Sequence, residues 1–454
     1  MQAEIDAMLR VRGAPPSVVA ALRRAATFPN PARARADRFG GRPARWIPET
    51  IGLWRQVGGA LVLPRGLVGE LRRLAPACPT TDRRLALDPL AFGWRGTLRP
   101  EQRAACRAAF DAQGGVVVGP CGSGKTVLGL ALVAAWHQPA LWIVHTVDLA
   151  RQALERVGAL FEVPAGAVGM LGGGRDRPGT HLTVATVQTL ARRDLAGLAG
   201  RFGTLVLDEA HHAPASTFLR VLQAFPARHR LGLTATPDRA DGLGLAMLAV
   251  LGPVAAELQT ADLAAAGRVV VPTVRQVATA FRYPYRDDYA AMLDALCTDS
   301  GRNRLIADAV AAEARAGHTC LVLSERVAHL RLLAAALAAS APDVAVAVLI
   351  GADGPRRRAT TLEALRGGRL RVLLATKLAD EGLDVPALDR VFLTTGGRAA
   401  GRVAQQVGRA MRAAPGKAAP VVFDFCDWGV GVLAAQARAR VEGVYGPLGA
   451  VVSA

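Results

Sequence analysis

The chain has 454 residues, just over half of them hydrophobic, and a formal net charge of +18. That length exceeds what one hydrophobic core supports and predicts two or three domains. No apolar run reaches the length of a membrane span, and the N-terminus lacks the basic-then-apolar order of a signal peptide. The six scattered cysteines form no Cys-x-x-Cys pair, which argues against a zinc site or a disulfide framework and fits a reduced cytoplasm.

Residues 1–95 read as a small basic domain. They hold 16 arginines against seven acids, half of the net excess in about a fifth of the chain. Such an excess points to a polyanionic partner, with arginine-rich composition as the plain alternative. Trp46, Trp54 and Trp94 lie among Arg38, Arg42, Arg45, Arg55 and Arg95. One reading is a duplex-engaging module, with arginines on phosphates and tryptophans stacking or wedging. The other is a scaffold with core tryptophans and solvated arginines.

Residues 96–265 alternate short apolar runs with helical patterns. The runs are Gly115–Val118, Leu141–His145, Leu182–Ala185, Leu205–Leu207 and Leu231–Leu233. This alternation predicts a parallel sheet covered by helices. Between Val116–Val118 and a helix-like run, Val127–Trp136, stands Gly119-Pro-Cys-Gly-Ser-Gly-Lys-Thr126. Strand, glycine-rich loop and helix in that order predict a phosphate cradle. The loop Pro120, Cys121, Gly122, Ser123 and Gly124 would turn backbone N–H groups inward. Lys125 would reach the β- and γ-phosphates and Thr126 would hold Mg²⁺. Lys125 is one of only three lysines, with Lys377 and Lys417, in a chain that otherwise uses arginine.

The run Leu205-Val-Leu-Asp-Glu-Ala-His211 ends a strand in two carboxylates. In a parallel sheet, ligands sit at such strand ends. Asp208 would hold Mg²⁺ and Glu209 would orient and deprotonate a water. Arg230-Leu-Gly-Leu-Thr-Ala-Thr-Pro237 is a second strand ending in hydroxyls. Thr234 and Thr236 could bond the carboxylates or His211 and so sense the γ-phosphate.

Gly252-Pro253 and Val271-Pro272 punctuate a connector. Residues 266–430 then repeat the α/β pattern without a phosphate loop. Strands are expected at Cys320–Leu323, Val344–Leu349, Arg371–Ala375, Val391–Thr394 and Val421–Phe425, with helices at Arg302–Arg315 and Ala328–Ala339. Arg409 and Arg412 lie three apart in Gln405-Gln-Val-Gly-Arg-Ala-Met-Arg412, hence on one helix face. Such a pair could reach a transferring phosphoryl group as arginine fingers. Residues 431–454 read as a short helix and a frayed tail.

These motifs, in this order, resemble the superfamily 2 helicases and translocases over about residues 96–428. Leu98-Arg-Pro-Glu-Gln102 resembles the segment whose glutamine, here Gln102, contacts adenine. Val144–Gln152 resembles motif Ia, Ala185–Leu190 motif Ib, Asp208–His211 the DEAH box, and Thr234–Thr236 motif III. Leu321–Leu330 resembles motif IV, Ala375–Asp384 motif V and Gln405–Arg412 motif VI. Pro120–Thr126, Thr234–Gly242 and Asp380–Asp384 are most similar to the XPB-type and restriction-subunit-like DNA translocases. Arg239-Ala-Asp241 departs from the Arg-Glu-Asp of XPB-type proteins, and Glu101 stands where the family often has an aromatic residue.

The resemblance implies an α/β fold: two tandem RecA-like parallel-sheet domains with a small N-terminal accessory domain. It implies ATP and Mg²⁺, with Gly382 and Asp384 on the nucleotide side and Gln405 coupling the two domains. It places nucleic-acid contacts at Thr146, Thr186, Gln188, Ser324 and Thr376. Short polar residues at strand ends suit phosphate contacts without base readout. The expected activity is ATP-driven helicase or translocase action, with duplex DNA as the expected partner. Alternatives are an RNA-directed DEAH-box helicase, a motor subunit of a restriction or defence complex that translocates without unwinding, and a non-enzymatic clamp. The chain holds no nuclease-like cluster of carboxylates with lysine, so cutting would need a partner.

Overall fold

A computed structural model of the protein describes residues 1–30, 32–33, 47–120, 122–209, 215–235, 244–376, 385–395, 403, 407–408, 410–411 and 416–453. The chain divides into two compact units, Met1–Gly119 with Gly124–Leu258, and Pro120–Ser123 with Gln259–Ala454. Among the described residues no helix is long and apolar enough to cross a membrane.

The first unit begins with short strands: β1 (Gln2–Ile5), β2 (Met8–Arg12), β3 (Thr27–Pro29), β4 (Thr50–Gly52), β5 (Arg55–Val57), β6 (Ala60–Pro64) and β7 (Thr80–Asp82). Five of them form a sheet in the order β5-β6-β2-β1-β7. Helices α1 (Pro16–Ala25) and α2 (Val68–Leu74) contribute Leu22 and Leu71 to a core with Leu9, Leu61 and Leu63. Trp54 donates its indole N–H to Thr27 Oγ1 at 3.2 Å, and the Arg23 guanidinium lies 4.3 Å from its ring centroid. Trp94 packs on Phe161, with ring centroids 5.9 Å apart. Both tryptophans are therefore engaged inside the unit; Trp46 lies outside the described residues.

The larger sheet of this unit runs β8 (Gly114–Val118), β9 (Ala140–Val144), β10 (Val168–Gly172), β11 (Arg175–Arg177), β12 (Leu182–Thr186), β13 (Thr204–Asp208), β14 (His229–Thr234) and β15 (Val254–Glu257). Its order is β11-β10-β12-β9-β13-β14-β8-β15, parallel throughout except for the β10–β11 pair. Every residue of β8, β9 and β12 is buried, as strands covered on both faces require. Helix α3 (Pro100–Asp111) precedes β8, and α4 (Lys125–Trp136) follows the phosphate loop. Most of α4 is buried, so it is apolar nearly all round. Gly129 lets it approach the sheet: a Cβ there would lie 2.8 Å from Leu233 and 2.9 Å from Trp142.

Two buried arginines join the N-terminal strands to this sheet. Arg65, just after β6, donates to the carbonyls of Ala227 and Arg228. Arg230, on β14 and 1% exposed, donates to Leu222 O at 2.7 Å, to Ala7 O and Phe225 O at 2.9 Å, and to Val250 O at 3.2 Å. Burial pushes the Arg230 pKa down to about 9, and burial, with the neighbouring Arg230 charge, lowers that of Arg65. A cation this enclosed is tolerated only because carbonyl oxygens replace its water.

The second unit is built on β16 (Thr273–Ala278), β17 (Thr319–Leu323), β18 (Val346–Leu349), β19 (Val372–Ala375), β20 (Leu388–Leu393), β21 (Val421–Cys426) and β22 (Val451–Ser453). All pairings in the order β18-β19-β17-β20-β21-β16-β22 are parallel. Its core stacks Phe392 on Phe423, with centroids 4.6 Å apart. Buried ion pairs gather at β21 and just beyond its end. Arg302 bonds Asp427 at 2.8 Å and the Thr394 carbonyl at 2.7 Å. Arg440 grips Asp424 at 2.7 and 3.0 Å, and Tyr445 donates to the same carboxylate at 2.8 Å. That cluster fixes the C-terminal segment, so Val451 pairs with Thr273 on the sheet edge where a frayed tail was expected.

Replacing Arg230 by leucine leaves four buried carbonyls without their donor. The substitution should cost about 3–5 kcal/mol of the stability of the first unit, read by denaturant unfolding of the full chain. A loss below about 1 kcal/mol would show that Arg230 does not hold the N-terminal strands.

Candidate functional site

The candidate site forms where three strands end together. β13 pairs Asp208 with Leu233, and β14 pairs Thr234 with Val118 of β8. The Gly119 N–H continues the ladder, donating to Thr234 O at 3.0 Å. In-register parallel pairing thus brings the phosphate loop, the carboxylates and Thr234 to one edge.

The loop has the backbone its glycines allow. Gly122 and Gly124 take φ of 87° and 81°. Gly124 is the N-cap of α4, and a Cβ there would come within 2.3 Å of Gln102 Nε2. Gln102 is 3% exposed; its Nε2 donates to Gly124 O at 3.4 Å and its Oε1 accepts the Arg99 N–H at 3.1 Å. One side chain therefore caps α3 and touches the loop. Ser123 is fully buried, with its N–H on Pro120 O at 3.2 Å. Lys125 is 7% exposed and its ammonium donates to Gly119 O at 2.6 Å. The ammonium is thus tied back to the residue where the loop begins.

Thr126 Oγ1 lies 3.4 Å from Asp208 Oδ2. Enclosure of the Asp208 carboxyl, and then the adjacent Glu209 charge, raise its pKa, while Lys125 and Thr126 oppose the rise. A hydroxyl beside a carboxylate that is costly to ionise is a donor set a hard divalent cation would relieve. Glu209 has a φ of 55°, left-handed for a non-glycine residue. That conformation costs about 1 kcal/mol or more and persists where the surroundings impose it. Thr234 is fully buried at the end of β14.

The strand-end polar residues divide into two kinds. Thr186 is 4% exposed, and its hydroxyl caps the helix Val187–Ala191 while bonding Thr189 Oγ1 at 2.8 Å. Ser324 is 5% exposed and bonds His329 Nδ1 at 2.9 Å; His329 Nε2 meets Asn303 Oδ1 at 2.9 Å. Since that oxygen only accepts, Nε2 carries the proton and Ser324 donates. Burial pushes the His329 pKa down to about 3, so the ring is neutral. These hydroxyls serve internal caps and networks. Thr146, which caps Val147–Leu160, remains half-exposed, as do Gln188, bonded to His145 at 3.2 Å, and Thr376. Cys121, His211, Thr236, Gly382, Asp384, Gln405, Arg409 and Arg412 lie outside the described residues.

The motif reading did not reach the polar networks around His329 and Asp427. Asn303 to His329 and Arg302 to Asp427 span distances in sequence that no local pattern encodes.

Residues 95–239 match the family described as type III restriction enzyme, res subunit, and residues 301–414 match the helicase conserved C-terminal domain. The chain belongs to the superfamily 2 helicases and translocases, in the group of XPB-type and restriction-subunit-like proteins. A relative from Halobacterium salinarum carrying the name DNA 3'-5' helicase Rad25 is 32% identical over 338 residues, 72% of this chain and 54% of its own length. The DNA 3'-5' helicase XPB of Kineococcus radiotolerans is 31% identical over 340 residues, 72% of this chain and 59% of its own. The chain thus spans just over half the length of these relatives. The solved structure of S. cerevisiae Dbp5 bound to RNA and ADP BeF3 superposes with a TM-score of 0.56 at 16% identity, covering 78% of this chain and 89% of that one. The two parallel-sheet units have the fold of RecA-like helicase domains.

Gly124→Ala tests the loop geometry. The added methyl meets Gln102 and a left-handed backbone that costs alanine about 1–2 kcal/mol. Nucleotide affinity by equilibrium titration should fall about tenfold or more, with the circular dichroism of the fold unchanged. Wild-type affinity would show that the Gln102–Gly124 contact does not shape the site.

Proposed function

We propose that the protein is an ATP-dependent helicase or translocase that moves on double-stranded DNA, with a DEAH box at Asp208–His211. The observation that carries the reading is the level ending of β8, β13 and β14. It brings Asp208 beside Thr126, with Lys125 bonded to Gly119 at the end of β8, which supports reading these groups as one site. The names of the Rad25 and XPB relatives support DNA as the track.

In this reading Gln102 meets the adenine and the Gly122–Gly124 backbone turns N–H groups toward the phosphates. Lys125 leaves the Gly119 carbonyl to bridge the β- and γ-phosphates. Thr126 and Asp208 would hold Mg²⁺, which supplies charge neutralisation on the phosphates. Glu209, carrying its own carboxylate beside that site, orients the attacking water and takes its proton. The family resemblance would give Arg409 and Arg412 arginine-finger roles, Gln405 a coupling role and Gly382 and Asp384 nucleotide contacts; all five lie outside the described residues. Thr146, Gln188 and Thr376, half-exposed at element ends, contact the nucleic-acid backbone. Thr186 and Ser324 contribute by fixing the local backbone, since their hydroxyls are spent internally. Residues 1–95 form an accessory module anchored by Arg65 and Arg230.

The test is ATP turnover measured with duplex DNA, single-stranded DNA and RNA. Duplex DNA should stimulate the wild type most. Lys125→Ala should lose roughly a thousandfold or more in rate. Glu209→Gln should bind ATP, hold DNA tightly and not turn over. Arg409→Ala should lower turnover by roughly a hundredfold or more with ATP affinity little changed. Lys125→Ala retaining more than about a tenth of wild-type turnover would overturn the site, and stimulation by RNA alone would overturn the track.

A further inference from the structure

The first unit contains a cavity that the proposed ATP cycle does not use. It lies between α3, α4 and the segment 92–94, and its volume is about 550 Å³. Small-molecule sites occupy roughly 300–1,000 Å³ and are mostly apolar, with a few polar groups that orient the ligand. Here Phe92 and Leu132, 2% and 1% exposed, line it together with Trp94 and Phe110. None of Gln102, Lys125, Thr126 or Asp208 lines it.

Its charged or basic side chains are two arginines and a histidine, beside the Cys106 thiol, which donates to Leu128 O. Arg103 and Arg107, one helical turn apart on α3, and His137 at the end of α4 complete the wall. Arg107 pairs with Asp111 at 3.0 Å, whereas Arg103 forms no ion pair among the described residues. His137 adds a second observation. It caps α4 with a φ of 54°, a conformation that glycine adopts without strain. Its backbone carbonyl accepts the Leu90 N–H at 2.8 Å, and its Nδ1 lies 3.1 Å from Leu90 O. Because Leu90 O only accepts, Nδ1 carries the proton and the imidazole is fixed on the wall. An aromatic lining with an exposed arginine that forms no ion pair among the described residues fits a flat hydrocarbon ring bearing a negative group.

We propose that this cavity is a binding site for a small amphipathic aromatic anion, its ring seated against Phe92, Trp94 and Leu132 and its carboxylate or sulfonate on Arg103. The site is distinct from the nucleotide site, and its occupation needs no ATP.

The probe is anilinonaphthalene sulfonate, which fluoresces in apolar surroundings, titrated into the full-length protein without nucleotide. Phenylnaphthylamine serves as its uncharged twin. Wild type should bind both saturably at one site. Ala135 lines the cavity from an exposed position, so Ala135→Phe fills the space without disturbing the core. It should weaken both probes about tenfold or more. Arg103→Ala should weaken the sulfonate about fivefold or more and the neutral twin less than about twofold. Phe110→Ala, at a residue 43% exposed, removes one side wall and should weaken both probes, so the test survives if Ala135→Phe does not fold. Unchanged affinity in the wall variants, equal losses of both probes in Arg103→Ala, or no saturable site in the wild type would overturn the proposal. Each result is read without ATP, so it stands or falls separately from the motor assignment.

Discussion

Three neighbouring parallel strands end level with one another, and the candidate site depends on that pairing. Adjacent strands lie about 4.8 Å apart, so Asp208, Thr234 and the start of the phosphate loop fall within two strand spacings. A slip of one residue would turn each side chain to the opposite face of the sheet. Carboxylate and lysine would then no longer face one loop. These strands are buried on both faces, so a slip would mismatch every side chain with the layer packed against it. The Gly119–Thr234 bond carries the same ladder into the loop itself.

The same strand that ends at Thr234 begins near Arg230, and Arg230 reaches the backbone of Ala7. One strand therefore links the N-terminal sheet to the edge where Asp208 and Thr234 end their strands. Each carbonyl bonded by Arg230 belongs to a different part of the unit: β14's neighbouring helix, the following loop, the helix Gly244–Leu251, and the N-terminal turn. A buried guanidinium with its carbonyls satisfied is tolerated, while removing either side leaves polar groups stranded. Cutting the chain after Arg95 would strip partners from both Arg65 and Arg230. Such a truncation would perturb the first RecA-like unit as well as remove basic charge.

Much of the fold is legible in the sequence because parallel strands covered by helices are continuous apolar runs. The runs ending at Val118, Ala185, Leu207, Leu323 and Ala375 each fall on a strand. Among the strands left unread, β6 and β10 are buried apolar runs, while others lack that signature. β11 is Arg-Asp-Arg and fully exposed, β16 mixes Arg275 and Gln276 into its length, and β22 has three residues on an edge. The N-terminal strands are three to five residues long, too short to show alternation. At the site, the positions of Asp208, at the end of β13, and of Lys125 and Thr126, at the start of α4, follow local strand–loop–helix motifs. The internal duties of Thr186 and Ser324 were not legible, because they are set by Thr189 and His329. The tryptophans were open to two readings, and tertiary packing decides the placement of Trp54 and Trp94.

We propose that one set of level strand ends builds one Mg²⁺–nucleotide site, with Thr126 and Asp208 sharing the cation. The most direct test is the Mg²⁺ dependence of binding of a fluorescent ATP analogue to the full-length protein. The wild type should bind at least about tenfold more tightly with Mg²⁺ than without it. Asp208→Asn should lose that dependence while still binding the metal-free nucleotide through Lys125 and the loop. Equal Mg²⁺ dependence in wild type and Asp208→Asn would contradict the account.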